Sequence, residues 1–279
     1  MKKIGFVDYY ISEWHANNYP KWIAEACKKN GLEYEVAYAW AELDVSFYDG
    51  RSTDEWCRDF GVQRCDSIAQ LCQLSDVIIV LAPSDPDKHL DYVSEVFRYG
   101  KRTYVDKTFA PDFATAQEMF DIAWRHGTPF FSTSALRYAT ELDELEGADE
   151  VYTTGGGSNL SEYIVHQVEM LVKLLGSVHS VRAEAVGERT DFYLEFNNGS
   201  TATMSYAPDL PYTVRDAYTE CGGDITSPYF DALIRDILRF FESGVVSFDT
   251  ASTLEVMKVR EAAIMASQVP GEVIYLDYI

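Results

Sequence analysis

Three side chains carry the clearest chemistry in the sequence. Lys107 follows a short predicted strand, Arg102–Val105, and so stands where open α/β sheets present groups to ligands. Glu162 and His166 lie four apart on a predicted helix, hence on one face and able to share a hydrogen bond. Removal of a hydride from a secondary alcohol needs a base that takes the hydroxyl proton and a cation that stabilises developing alkoxide charge, roles a histidine and a lysine can fill. Each has a plainer reading. A lysine after a strand is most often a surface charge, and a Glu–His pair on a helix face contributes only about 0.3–0.5 kcal/mol. The other histidines invite less: His179 reads as surface and His126 as a dipole partner at a helix end. His89 opens a helix beside Ser84 and Asp85, where capping or packing serves as well as ligand binding. With the histidines scattered, no metal is expected.

The elements that must position these residues alternate in the first half. Strands are expected at Lys3–Val7, Tyr34–Trp40, Asp76–Ala82, Arg102–Val105 and Pro129–Thr133. Helices are expected at Pro20–Asn30, Ser52–Phe60, Ser67–Gln73, Asp87–Tyr99 and Ala114–His126. "DVIIVLA" is a continuous apolar run, as in a strand covered on both faces. Strands spaced by such helices imply β-α-β units and a doubly wound, Rossmann-like parallel sheet over residues 1–138. From residue 139 to 279 the rhythm changes. A strand at Val151–Thr154 and a helix at Glu162–Leu175 precede three close runs, Val178–Val186, Asp191–Phe196 and Ser200–Tyr206. "NNGS" between the last two is a hairpin signal, because Asn-Gly accepts positive φ. Helices at Pro228–Ser243 and Ala251–Ser267 and a strand at Glu272–Leu276 complete an α+β domain with a mostly antiparallel sheet.

From Asp76 onward the chain resembles the Gfo/Idh/MocA family, the glucose–fructose oxidoreductase and inositol dehydrogenase group. The stretches that carry the likeness are "SDVIIVLAPSDPDKH", "YGKRTYVDKTFAPDFATAQEMFDIAWRHG", "GGGSNLSEYIVHQVEMLVKLLGSVHSVRA" and "PYFDALIRDILRFFESG". The resemblance implies a two-domain oxidoreductase that acts on a sugar, cyclitol or related polyol with NAD or NADP. It places Lys107 on the family's catalytic lysine, His166 on its acid–base histidine, and Glu162 where the family usually has Asp. It implies cofactor contacts from Asp8, Tyr10, Ile11 and Ser12 after the first strand, and from Pro83, Ser84 and His89 after "VIIVLA". It also implies a homodimer or homotetramer.

Two stretches depart from that pattern. In "GFVDYYISEWHANN", Asp8 and Tyr10 fall on the first two glycines of the dinucleotide fingerprint, and no glycine follows until Gly31. A phenol ring there takes the pyrophosphate's room, and a helix starting near Pro20 carries its positive end away from the phosphates. Beyond the second strand, Glu42 and Asp44 are the acids that could meet a ribose. In "DKTF", Thr108 replaces the family's proline, so a trans peptide is expected after Lys107.

Composition narrows the choices. A net charge of −22 repels nucleic acid and anionic lipid. No apolar run reaches the length of a membrane span, and "MKKIGFVD" lacks the apolar core of a signal peptide. Five cysteines without a C-x-x-C pair suit a reduced, cytoplasmic protein in which they are small buried hydrophobes. Three functions stay open: an NAD(P)-dependent oxidoreductase with an unusual phosphate loop; a non-redox lyase or isomerase on a sugar-like ligand, without dinucleotide; and a catalytically silent partner subunit.

Overall fold

The computed structural model describes residues 1–279, and the chain separates into two compact units. One comprises residues 1–132 and 233–249, the other residues 133–232 and 250–279.

The first unit alternates strands and helices: β1 (Lys2–Tyr10), α1 (Trp14–Asn30), β2 (Tyr34–Leu43), α2 (Thr53–Phe60), β3 (Gln63–Arg64), α3 (Ile68–Leu74), β4 (Val77–Val80), α4 (His89–Val96), β5 (Thr103–Val105), α5 (Phe113–His126) and β6 (Phe130–Phe131). The six strands pair in parallel in the order β3-β2-β1-β4-β5-β6. This is the doubly wound arrangement expected, and its crevice for ligands lies where the order reverses, between β1 and β4. All four residues of β4 are buried, as a strand covered on both faces requires. Close approach of α3 to β1 fixes the residue type at Gly5. A Cβ there would lie 2.5 Å from the Leu71 side chain and 2.4 Å from Ser75 Oγ.

Two features at the start of the chain correct the sequence reading. β1 does not stop at Val7: it runs to Tyr10, because β2 accompanies it with Asp8 opposite Ala41 and Tyr10 opposite Leu43. α1 begins at Trp14 and carries Pro20 inside it. Pro20 is therefore no marker of the first turn; the cap is Glu13, a residue outside the favoured Ser, Thr, Asp and Asn set.

The second unit contains β7 (Glu150–Gly155), α6 (Leu160–Leu175), β8 (Val178–Val186), β9 (Arg189–Phe196), β10 (Thr201–Tyr206), β11 (Thr213–Asp216) and β12 (Gly222–Asp224). After α7 (Tyr229–Ser243) it resumes with α8 (Ala251–Gln268) and β13 (Val273–Tyr275). The sheet order is β12-β11-β7-β10-β9-β8-β13, antiparallel throughout except for the β7–β10 pair. Phe192, Leu194, Phe196, Ala202 and Met204 point into a core completed by Ile164, Val168 and Leu171 of α6 and Val259 and Ala263 of α8. The hairpin turns at Gly199, whose φ of 91° needs a residue without a Cβ.

Most of α7 returns to the first unit. Phe240 packs on Phe131 and Phe241 on Tyr34, while the Arg102 guanidinium donates to the Phe241 and Glu242 carbonyls at the helix end. Cys27, Cys57, Cys65 and Cys72 are buried and Cys221 is exposed. No helix is long and apolar enough to cross a membrane.

Candidate functional site

In the first unit the crevice is built from the turn after β1, the segment after β4 and the segment after β5. The β1–α1 turn is Ile11–Ser12–Glu13, and it has no glycine. Ser12 is fully buried; its hydroxyl donates to Asp49 Oδ2 at 2.8 Å, and its carbonyl accepts from Ser46 Oγ at 2.5 Å. Ile11 is buried as well. Glu13 turns its carboxylate back over the helix start, where Oε2 accepts the His15 N–H at 2.7 Å and Oε1 accepts the Ala16 N–H. These N–H groups are the ones a helix offers to an anion. The α1 N-terminus thus holds an anion already, supplied by its own chain.

Around this cap lies a buried cluster of acids. Asp8 sits within β1, not in the turn, and is 1% exposed; its Oδ1 accepts the Tyr9 and Ala82 N–H groups, while Oδ2 has no hydrogen-bond partner. Burial pushes the Asp8 carboxyl well above the usual carboxylate range, and nearby Glu13 pushes it further. Asp106, also 1% exposed, accepts from Tyr104 Oη at 3.1 Å and Tyr19 Oη at 3.4 Å through Oδ1; its Oδ2 is unpartnered, with His15 Nδ1 3.7 Å away. His15 Nδ1 is 3.3 Å from Glu13 Oε2. Burial alone would lower the His15 pKa, but Asp106 and then Glu13 hold it above its ordinary value. Tyr10 lies beside this cluster in β1, with Tyr9 and Phe47 packed against its ring.

The groups that would meet a dinucleotide's pyrophosphate at this helix end are already engaged. The helix N–H groups are engaged by Glu13, the Ser12 hydroxyl by Asp49, and Asp8 and Asp106 add carboxyl groups where a doubly negative bridge would come. The acids at the end of β2 are engaged too. Glu42 receives Lys88 Nζ at 2.7 Å and Tyr92 Oη at 2.8 Å, and Asp44 pairs with Arg64 at 2.7 Å.

Lys107 follows β5 directly. It is buried, and its Nζ donates to the Pro83 carbonyl at 3.1 Å. The Lys107–Thr108 peptide is cis, against the trans geometry expected for a residue other than proline. Thr108 is fully enclosed between Lys107 and buried Phe109, so tertiary packing overrides the local preference. Pro83 is buried and Ser84 exposed. His89 is fully buried, with Nδ1 2.9 Å from the Phe109 carbonyl and Nε2 on the Leu81 carbonyl. Burial lowers its pKa against the two carbonyls, which raise it; a neutral ring donates to only one of them.

In the second unit, Asn159 caps α6 by accepting the Glu162 N–H at 2.8 Å, and its own amide donates to Glu162 Oε2 at 3.1 Å. Glu162 therefore works at the helix start. His166, one turn on and half-buried, has Nδ1 2.7 Å from Ser134 Oγ and rests edge-on against Tyr212. Glu169, one further turn along, is buried and accepts from Arg137 Nη1 and Thr133 Oγ1, each at 2.8 Å, and from the Ser134 N–H at 3.4 Å.

Glu13, His15, Asp106, Ser134 and Glu169 were not singled out from the sequence. Asp106 directly precedes Lys107 in "VDKTF", and Glu169 is one helical turn after His166 in "HQVE", so both had a positional signal. Ser134 is distant in sequence from His166, and only folding brings them together.

Residues 42–134 match a family described as oxidoreductase family, NAD-binding Rossmann fold. The family likeness read from the sequence therefore stands. No curated protein matches the chain significantly. Among solved structures, a candidate myo-inositol dehydrogenase from Sinorhizobium meliloti superposes with a TM-score of 0.76 at 14% identity, covering 99% of this chain and 100% of that one. A UDP-N-acetylglucosamine 3-dehydrogenase from Acidithiobacillus ferrooxidans gives 0.74 at 12% identity, with 95% and 97% covered. An oxidoreductase from Agrobacterium radiobacter, solved with NAD+, L-tartaric acid and magnesium, gives 0.74 at 15% identity, with 99% of each chain covered. At such identities the shared property is the fold.

Proposed function

This chain is a Gfo/Idh/MocA-type protein by its fold and by its match over residues 42–134, and from that premise we propose that it performs proton-transfer chemistry on a sugar-like or polyol ligand without seating a dinucleotide at α1. The observation that carries the reading is the Glu13 carboxylate on the His15 and Ala16 N–H groups. In the parent architecture that helix end is what holds the diphosphate. The roles that remain are those the family likeness gives. His166 exchanges a proton with a substrate hydroxyl or an adjacent carbon, and Lys107 stabilises developing oxyanion charge. Elimination or isomerisation beside a carbonyl uses these two roles, a proton donor for the oxygen and a cation for the oxyanion, together with a base that takes the carbon-bound proton.

A second reading is an NAD(P)-dependent oxidoreductase of sugars, cyclitols or related polyols. It is favoured by the family match, which is to an NAD-binding domain. Titration with NADH and with NADPH, followed by nicotinamide fluorescence, separates the two. Absence of binding at millimolar cofactor is expected; micromolar affinity for either would replace the first reading by the second. Alanine at Lys107 or His166 is expected to abolish turnover of any substrate found. That loss would exclude a silent partner subunit, whereas turnover that survives both changes would mean that other residues carry the chemistry.

A further inference from the structure

A proton can be located on the ring of His166 from its surroundings. Ser134 precedes a short 3-10 turn, Ala135–Tyr138, and is 1% exposed. Its Oγ accepts the Leu136 N–H at 3.2 Å and lies 2.7 Å from His166 Nδ1. A hydroxyl has one proton to give, and for Ser134 the His166 nitrogen is the acceptor in reach. Were Nδ1 protonated, the ring would donate to Oγ, and the buried hydroxyl proton would be left without an acceptor, at a cost of roughly 1–3 kcal/mol. The hydroxyl proton therefore points at Nδ1, and the ring proton sits on Nε2.

We propose that Ser134 is a positioning residue that fixes His166 as the neutral Nε2–H tautomer, so that Nε2 is the atom that first donates a proton to a ligand. This rests on the acid–base reading of His166 given above. Ser134 is not itself a nucleophile, because its oxygen is enclosed and already accepts the Leu136 N–H. The arrangement is held from the same helix. Glu169, three residues after His166, grips Thr133, Ser134 and Arg137, so the turn bearing the hydroxyl is tied to the helix bearing the imidazole. Arg137, at 2.8 Å, supplies the charge that a buried carboxylate needs.

Ring-nitrogen NMR of the 15N-labelled full chain tests this without any substrate, with His166→Asn identifying the resonances. At neutral pH the expected result is an unprotonated Nδ1 and a protonated Nε2. Ser134→Ala is expected to move the ring to a mixture of tautomers, and Ser134→Thr to restore the single form. A protonated Nδ1 in the unaltered chain, or ring signals that do not respond to Ser134→Ala in a folded variant, would overturn the proposal. If the tautomer is as expected yet His166→Ala leaves turnover intact, the acid–base reading fails while the assignment of Ser134 stands.

Discussion

Glu13 and Asp8 place carboxyl groups at and beside the start of α1, where helix N–H groups favour an anion. As a cap, Glu13 satisfies two N–H groups at the start of α1, and loss of a side-chain cap costs about 0.5–2 kcal/mol. Glu13→Ala is therefore expected to lower stability by about that amount, measured by urea unfolding. It also reopens the helix end to external anions. Added phosphate should narrow the gap between variant and parent; a gap unchanged by phosphate would mean that the freed N–H groups are not accessible. Asp8 makes a different prediction. Its pKa is raised in the folded state, chiefly by burial, so the stability linked to its proton is fully present below about pH 4 and lost as pH rises through the folded value. Asp8→Asn keeps an oxygen for the Tyr9 and Ala82 N–H groups and cannot ionise. Its melting temperature relative to the parent is expected to climb as pH is raised above about 4. A difference that stays flat would show that Asp8 ionises as freely in the fold as in the open chain.

At the scale of elements, the legible parts were those whose signal is local. "DVIIVLA" has the continuous burial of a central strand, and "NNGS" carries the glycine that the hairpin's positive φ demands. What escaped was decided by distant partners. β1 continues through Tyr10 because β2 pairs with it, and α1 starts early because Glu13 reaches back to cap it, although Pro20 looks like a first-turn residue. The same limit hid part of the second unit's candidate residues. His166 was legible by its spacing from Glu162, whereas Ser134 reaches it only through the turn that Glu169 anchors. β11 and β12 are brief, and their pairing with β7 and with each other carries little periodic pattern. One carboxylate gathers much of the loop after β12: Glu141 accepts from Ser227 Oγ at 2.5 Å and from the Thr226 and Ser227 N–H groups, each at 2.8 Å. Burial opposes ionisation there, but Ser227 and these N–H groups outweigh it and bring Glu141 down to about 2. Its contribution is present above the ordinary glutamate value, about 4.3, and is lost as pH falls through about 2. Glu141→Gln is expected to flatten the pH dependence of the urea midpoint in that window; a variant that keeps the parent's slope would show that other carboxyls set it.

Over the whole molecule, 45 acidic side chains face 23 basic ones, and this excess acts on both units at once. Individual ion pairs lie at the surface, such as Lys2 with Glu242 and Lys88 with Glu42, each at 2.7 Å, and exposed pairs of this kind contribute about 0.2–1 kcal/mol. The repulsion among unpaired carboxylates is spread over many longer distances, which salt screens more completely than it screens a contact pair. Raising ionic strength from about 0.01 M to about 0.15 M shortens the screening length from about 30 Å to about 8 Å. Unfolding separates the like charges, so screening them favours the folded chain. Sodium chloride over this range is therefore expected to raise the melting temperature, in a scan at constant pH. The same field keeps diphosphates at a distance, so any cofactor binding should strengthen with salt, opposite to the usual dependence for an anion on a basic site. A melting temperature that falls with salt would mean that the contact pairs, and not the summed excess, govern the electrostatic part of stability.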